Sequence, residues 1–180
     1  MFRILLIIFG LTLTTQAYAN TMETSSDTTE MDSLDWIIDE LIVKWTNNKS
    51  YTMDIIEAMP ESDYNFTPAD DMMSFQEQAV HITTTLHWQM EKLGLNEIPE
   101  FNGETKDEIM TSYETLFDYI IAELESMKGA QLSDSVEVFY GNSTKRRLLN
   151  LMDNHVAHHR GQLIVYLRLK GIKPARYKGW

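Results

Sequence analysis

Four stretches of this sequence carry apolar residues at three- and four-residue spacing, each bounded by residues that start or stop helices. In the first, Leu34, Ile37, Ile38, Leu41, Ile42 and Trp45 form a stripe that begins near Asp32 or Ser33. It can continue through Met53, Ile56 and Met59, with room for a bend around 47–51, and Pro60 stops it. Ser74-Phe75-Gln76-Glu77 is a capping box and predicts a second helix from Phe75 to about Leu93, with Gly94 just beyond. Thr105-Lys106-Asp107-Glu108 repeats that pattern before Ile109, Tyr113, Leu116, Phe117, Ile120, Leu124 and Met127, with Gly129 as the expected stop. The last helix is expected to start near Ser143 or Thr144 and to end at Lys170-Gly171, and Pro174 bars its continuation.

The connections are less regular. Residues 61–73 read as a connector. In 133–141, Val136, Val138 and Tyr140 alternate as in extended chain, but Phe139 breaks the alternation. A lone strand would have nothing to pair with, so an ordered crossing loop is expected. Asn142-Ser143-Thr144 matches an N-glycosylation pattern, and a helix cap explains it as well. The expected fold is all-α, a four-helix bundle with a long crossover before the last helix, in one domain over 32–180.

The start of the chain reads as an export signal over 1–19. Arg3 supplies positive charge, Ile4 to Leu13 is mostly apolar, and Ala17-Tyr18-Ala19 is a small-x-small cleavage pattern. The apolar run is too short for a comfortable membrane span. Cleavage after Ala19 would leave a flexible polar leader over 20–31 and no stable membrane insertion. The expected location is outside the cytoplasm, the periplasm if the source is bacterial. With no cysteine, disulfides, thiolate ligands and thiol nucleophiles are excluded. A net charge of −12 and a pI near 4.7 argue against a nucleic-acid partner. A small-molecule substrate and a homodimer remain compatible with the sequence.

Three of the five histidines lie in Asn154–Lys170. On a helical wheel Leu148, Leu151, His159, Gln162 and Tyr166 all fall within about 40 degrees of His155. That predicts a buried stripe with two imidazoles at its centre, and buried imidazoles need partners. His158 is about 60 degrees from His155 and about 100 degrees from His159, which makes it the weaker ligand candidate. The second helix offers His81 and His87, and periodicity does not choose between them. Arg160, beside His159, could attract an anionic substrate but reads more simply as a helix-surface charge, and Trp45 reads as core.

The run Met73-Ser-Phe-Gln-Glu-Gln-Ala-Val-His81 precedes Asn154-His155-x-x-x-His159-Arg-Gly-Gln-Leu163 and Tyr166-Leu-Arg168-x-x-Gly171-x-x-Pro174. Taken together, these residues resemble the DinB/YfiT-like family over nearly the whole mature chain. The resemblance implies a four-helix bundle in which one histidine of the second helix and two of the last bind a divalent metal, here His81, His155 and His159. It does not require His158, and the usual terminal Pro-Pro appears as Pro174-Ala175.

Three neutral imidazoles suit zinc, nickel or iron and leave positions open for water, a substrate or an exogenous thiol. The resemblance brings in transferases and isomerases that use low-molecular-weight thiols. Export separates this chain from the cytoplasm, where such thiols are made. The expected function is therefore an exported metal-dependent enzyme of transferase or hydrolase type. The alternatives are a non-catalytic, metal-stabilised protein and a thiol-dependent S-transferase. Asn154, Gln162, Trp88 and Tyr166 are candidates for a pocket. Glu77 is one turn before His81 and could support that ring, though its capping role is the simpler one.

Overall fold

Most helix boundaries coincide with a capping side chain, a glycine or a proline. The computed structural model describes residues 34–101 and 103–179. The expected export signal, the expected polar leader and the expected first-helix start at Asp32 or Ser33 lie outside the described residues. Helix α1 spans Asp35–Ala58 without interruption through 47–51. It ends because Met59 precedes proline, which disfavours helical backbone, and Met59 is extended. Pro60 then leads into a short 3₁₀ turn, Glu61–Asp63.

Helix α2, Phe75–Leu93, opens on the complete capping box. Ser74 Oγ accepts from the Glu77 N–H at 3.2 Å, and Glu77 Oε2 accepts from the Ser74 N–H at 2.7 Å. These bonds hold the Glu77 carboxyl below its ordinary pKa. Helix α3, Lys106–Ser126, opens on the same device at Thr105 and Glu108. It stops earlier than the apolar stripe suggests. Met127 is already extended, so Gly129 is not the helix stop. Gly129 instead lies against the start of α1: a β-carbon there would come within 2.4 Å of the Leu34 carbonyl carbon. Its N–H donates to Asp35 Oδ1 at 2.6 Å.

The expected crossing loop is in fact a 3₁₀ turn, Gly129–Ser133, followed by an antiparallel hairpin. Strand β1, Ser135–Val138, pairs with β2, Gly141–Thr144, in the register Ser135↔Thr144 and Val138↔Gly141. Val136 and Val138 are buried, so β1 has the alternation of a half-buried strand. Its partner escaped detection because Gly-Asn-Ser-Thr carries no apolar alternation and reads as a turn and a cap. The capping part of that reading holds: Thr144 Oγ1 accepts from the Arg147 N–H and opens helix α4, Lys145–Leu169. Gly171, at φ 75, closes α4 in a left-handed turn, with the Ile172 N–H donating to the Leu167 carbonyl at 2.8 Å.

Helix α1 packs on α3 and α4, and α2 packs on the same two. The bundle is thus a ring in the order α1–α3–α2–α4, and both 59–74 and the hairpin segment cross its diagonals. Trp45, Phe75, Tyr113, Phe117, Leu148, Met152 and Leu163 fill the middle. Among the described residues, no helix is long and apolar enough to cross a membrane. The seam between α2 and α4 is where the histidines meet.

Candidate metal centre

The buried face of α4 is centred on Met152, Val156 and Leu163, about 80 degrees round from His155. The stripe expected to be core therefore lies on the edge of the seam. Its ends, Leu148 and Tyr166, are buried, while Leu151, His155, His159 and Gln162 are half-buried. This rotation leaves the imidazoles reachable from solvent while their rings remain packed.

His81 comes across from α2. Its ring centroid is 5.1 Å from that of His155 and 4.5 Å from that of His159, and the latter two are 4.4 Å apart. Each ring offers one nitrogen, and the three nitrogens lie within 4.8 Å of one another. Burial lowers the His155 pKa to about 4, aided by the neighbouring His81 and His158. Burial likewise takes His159 to about 4, with His155, His81 and His158 adding to it. Both rings are neutral at pH 7 and present lone pairs. His155 Nδ1 is buried without a hydrogen-bond partner. Such an orphan is costly, and a cation would relieve it. The donor set fits a divalent metal: three imidazole nitrogens close together, on residues one of which also carries an unsatisfied buried nitrogen.

A hydrogen-bonded chain orients His159. Its Nδ1 lies 2.6 Å from Gln78 Oε1, and an amide oxygen can only accept. The proton is therefore on Nδ1, and Nε2 keeps its lone pair. Gln78 Nε2 donates to Gln162 Oε1, and Gln162 Nε2 donates to His158 Nε2 at 2.9 Å. Sequence reasoning named Gln162 but missed Gln78, which is 4% exposed. Its signal was an amide on the buried stripe of α2, three residues before His81.

The other sequence candidates are dispersed. His87 is not part of the cluster; its Nδ1 lies 3.8 Å from Glu91, one turn on. His158 is exposed and meets His159 edge-on at 4.9 Å. Asn154 is exposed. Trp88 packs on Phe139 of the hairpin, 6.2 Å between centroids, away from the groove beside His81. Tyr166 donates to the Met73 carbonyl at 2.7 Å and ties the 59–74 connection to α4. Glu77, besides capping α2, borders that groove, a hollow of about 440 Å³ that Met73, Gln76, Val80, His81 and Gly103 also line. Arg160 is not a surface charge. It is 9% exposed and faces α1.

A family model described as the DinB family matches residues 22–179. YjoA of Bacillus subtilis is 28% identical over 143 residues, which span 73% of this chain and 90% of YjoA. The crystal structure of that DinB-like protein matches with a TM-score of 0.66 at 23% identity, covering 78% of this chain and 99% of its own. A DinB-like protein from Bacillus cereus matches with a TM-score of 0.70 at 20% identity, covering 77% and 97%. At such identities the structural likeness carries the fold alone.

Proposed function

The chain belongs to the DinB family, and on that premise we propose that it binds a divalent metal through His81, His155 and His159 and acts as a metal-dependent enzyme of transferase or hydrolase type. One observation carries the reading: three ring nitrogens from two helices lie within 4.8 Å of one another. An ion of the zinc, nickel or iron kind would supply Lewis acidity and open positions for a ligand. The chain's own residues do the rest. Burial keeps His155 and His159 unprotonated, Gln78 fixes the ring of His159, and the groove beside His81 admits a small molecule. A thiol reactant, if there is one, comes from outside, because the chain has no cysteine.

A second reading rests on the same cluster joining α2 to α4: the ion staples the bundle and nothing turns over. Elemental analysis after reconstitution with zinc, nickel, iron or manganese tests both. One equivalent of metal is expected, and it is lost in His81→Ala, His155→Ala and His159→Ala. No stoichiometric metal in the parent sinks the proposal. Loss in His87→Ala with retention in His81→Ala would make the third ligand wrong. Metal that stabilises the fold without supporting turnover on acyl, phosphoryl or thiol-addition substrates favours the staple.

We propose further that the chain is exported, on the strength of Arg3, the apolar run and Ala17-Tyr18-Ala19. Mass analysis of the mature protein should place its first residue at Asn20. An intact Met1 in the extracytoplasmic fraction would refute cleavage.

A further inference from the structure

On the face of α4 away from the histidines lies a second polar cavity, of about 200 Å³. Asp153, Ala157 and Arg160 border it, about 140 to 200 degrees round the helix from His155. Asn48 of α1 closes one side, and Tyr177 and Lys178 of the C-terminal segment close another. That segment is tied down: Lys178 Nζ lies 2.5 Å from Asp54 Oδ2 and donates to Ser50 Oγ at 2.6 Å. Tyr177 meets Tyr51 edge-on at 5.8 Å.

The charges around this cavity do not cancel in pairs. Lys44 is held by Asp153 at 2.6 Å, and Lys178 by Asp54. Asn48 Nδ2 also donates to Asp153, at 3.3 Å. Arg160 hydrogen-bonds only to neutral groups, and the Asp153 carboxylate, already held by Lys44 and Asn48, acts on it through its charge alone. Its Nη1 donates to Asn48 Oδ1 and, at 3.0 Å, to Thr52 Oγ1, and its guanidinium lies 4.7 Å from the centre of the Tyr51 ring. Among the described residues no carboxylate oxygen comes within 4.0 Å of it. Guanidinium carries five donors, and here Nε and Nη2 meet no protein acceptor among the described residues. They are not sealed in either, since neither is among the buried unpartnered atoms. A buried guanidinium with no direct ion pair and donors to spare beside a polar cavity has the chemistry to hold an anion. Guanidinium's planar fork matches a carboxylate, and the single unmatched positive charge suits a monoanion better than a phosphate dianion.

We propose that this cavity binds a small molecule bearing one carboxylate, gripped by the free edge of Arg160 between α1, α4 and the C-terminal segment. The site is separate from the histidine cluster and does not depend on the metal. The test uses the mature chain with chelator present and titrates sodium propionate against chloride at constant ionic strength. The Arg160 Nε–H resonance is followed by NMR and the heat by calorimetry. Saturable binding that shifts this resonance is expected. It should weaken at least about tenfold in Arg160→Lys, where the bidentate fork is lost. Ala157 is exposed, so Ala157→Phe puts bulk into the cavity without removing any polar group, and it should abolish binding. It also keeps the test decisive if the Arg160 variant does not fold. Absence of saturation, unchanged binding in Ala157→Phe, or tighter binding of inorganic phosphate than of propionate would each overturn the proposal.

Discussion

Gln78 illustrates how much one buried amide can decide. Its oxygen faces His159 Nδ1 at 2.6 Å and so selects which nitrogen of the ring is free. Gln78→Leu keeps the volume and removes the acceptor. Metal affinity should fall about 10- to 100-fold, read by competition with a chromophoric chelator. An unchanged affinity would show that packing alone orients His159. The histidines also predict a pH dependence. His155 and His159 titrate at about 4 in the folded chain against an ordinary 6.5. Between those values the unfolded chain binds protons that the folded chain refuses. Stability of the metal-free protein is therefore full above 6.5 and falls as the pH drops toward 4. Urea midpoints across that range should fall less steeply in a His155→Asn/His159→Asn double variant, and equal slopes would contradict the assignment. At this scale the sequence could pair His155 with His159 by spacing, but His81 and His87 were separable only by the family pattern. Burial of Arg160 was invisible, because nothing local announces that a charged residue turns toward another helix.

Among the elements, the helices follow their local signals and the connection before α4 does not. Ser74 and Glu77 cap α2 reciprocally, so Ser74→Ala should cost about 1 kcal/mol of stability, measured by urea unfolding. Gly129→Ala probes something no local rule foresees. Its β-carbon would meet the backbone of Leu34 and Asp35 at 2.4 and 2.5 Å, and backbone cannot give way as a side-chain tip can. A loss of about 1–3 kcal/mol is expected, as for overpacking. A variant as stable as the parent would mean that this approach of the hairpin segment to α1 is not rigid. The hairpin itself was half legible. Val136 and Val138 advertise a strand, but Gly141–Thr144 pairs through its backbone, and backbone pairing leaves no side-chain pattern. The wheel of α4 was read correctly in period and wrongly in phase. Spacing shows which residues share a face; which face turns inward depends on the neighbours.

For the whole molecule, the ring order α1–α3–α2–α4 puts α2 beside α4 and so makes a site from residues far apart in sequence. Metal bound only by the folded chain should stabilise it by about 2.7 kcal/mol at a free concentration 100 times Kd. Chemical denaturation with and without zinc would measure this, and His81→Ala should remove the effect. If zinc stabilises the His81 variant equally, the ion is not bridging the helices. The four helices of the described residues, the capping boxes of α2 and α3 and the apolar periods were determined by the sequence alone, because capping and amphipathicity are interactions among near neighbours in the chain. Only the tertiary structure decided that α2 and α4 adjoin, that the imidazoles sit at the rim of the core, and that Arg160 is enclosed against α1. Each of these depends on how one helix is rotated against another, which is settled by the packing of all four at once.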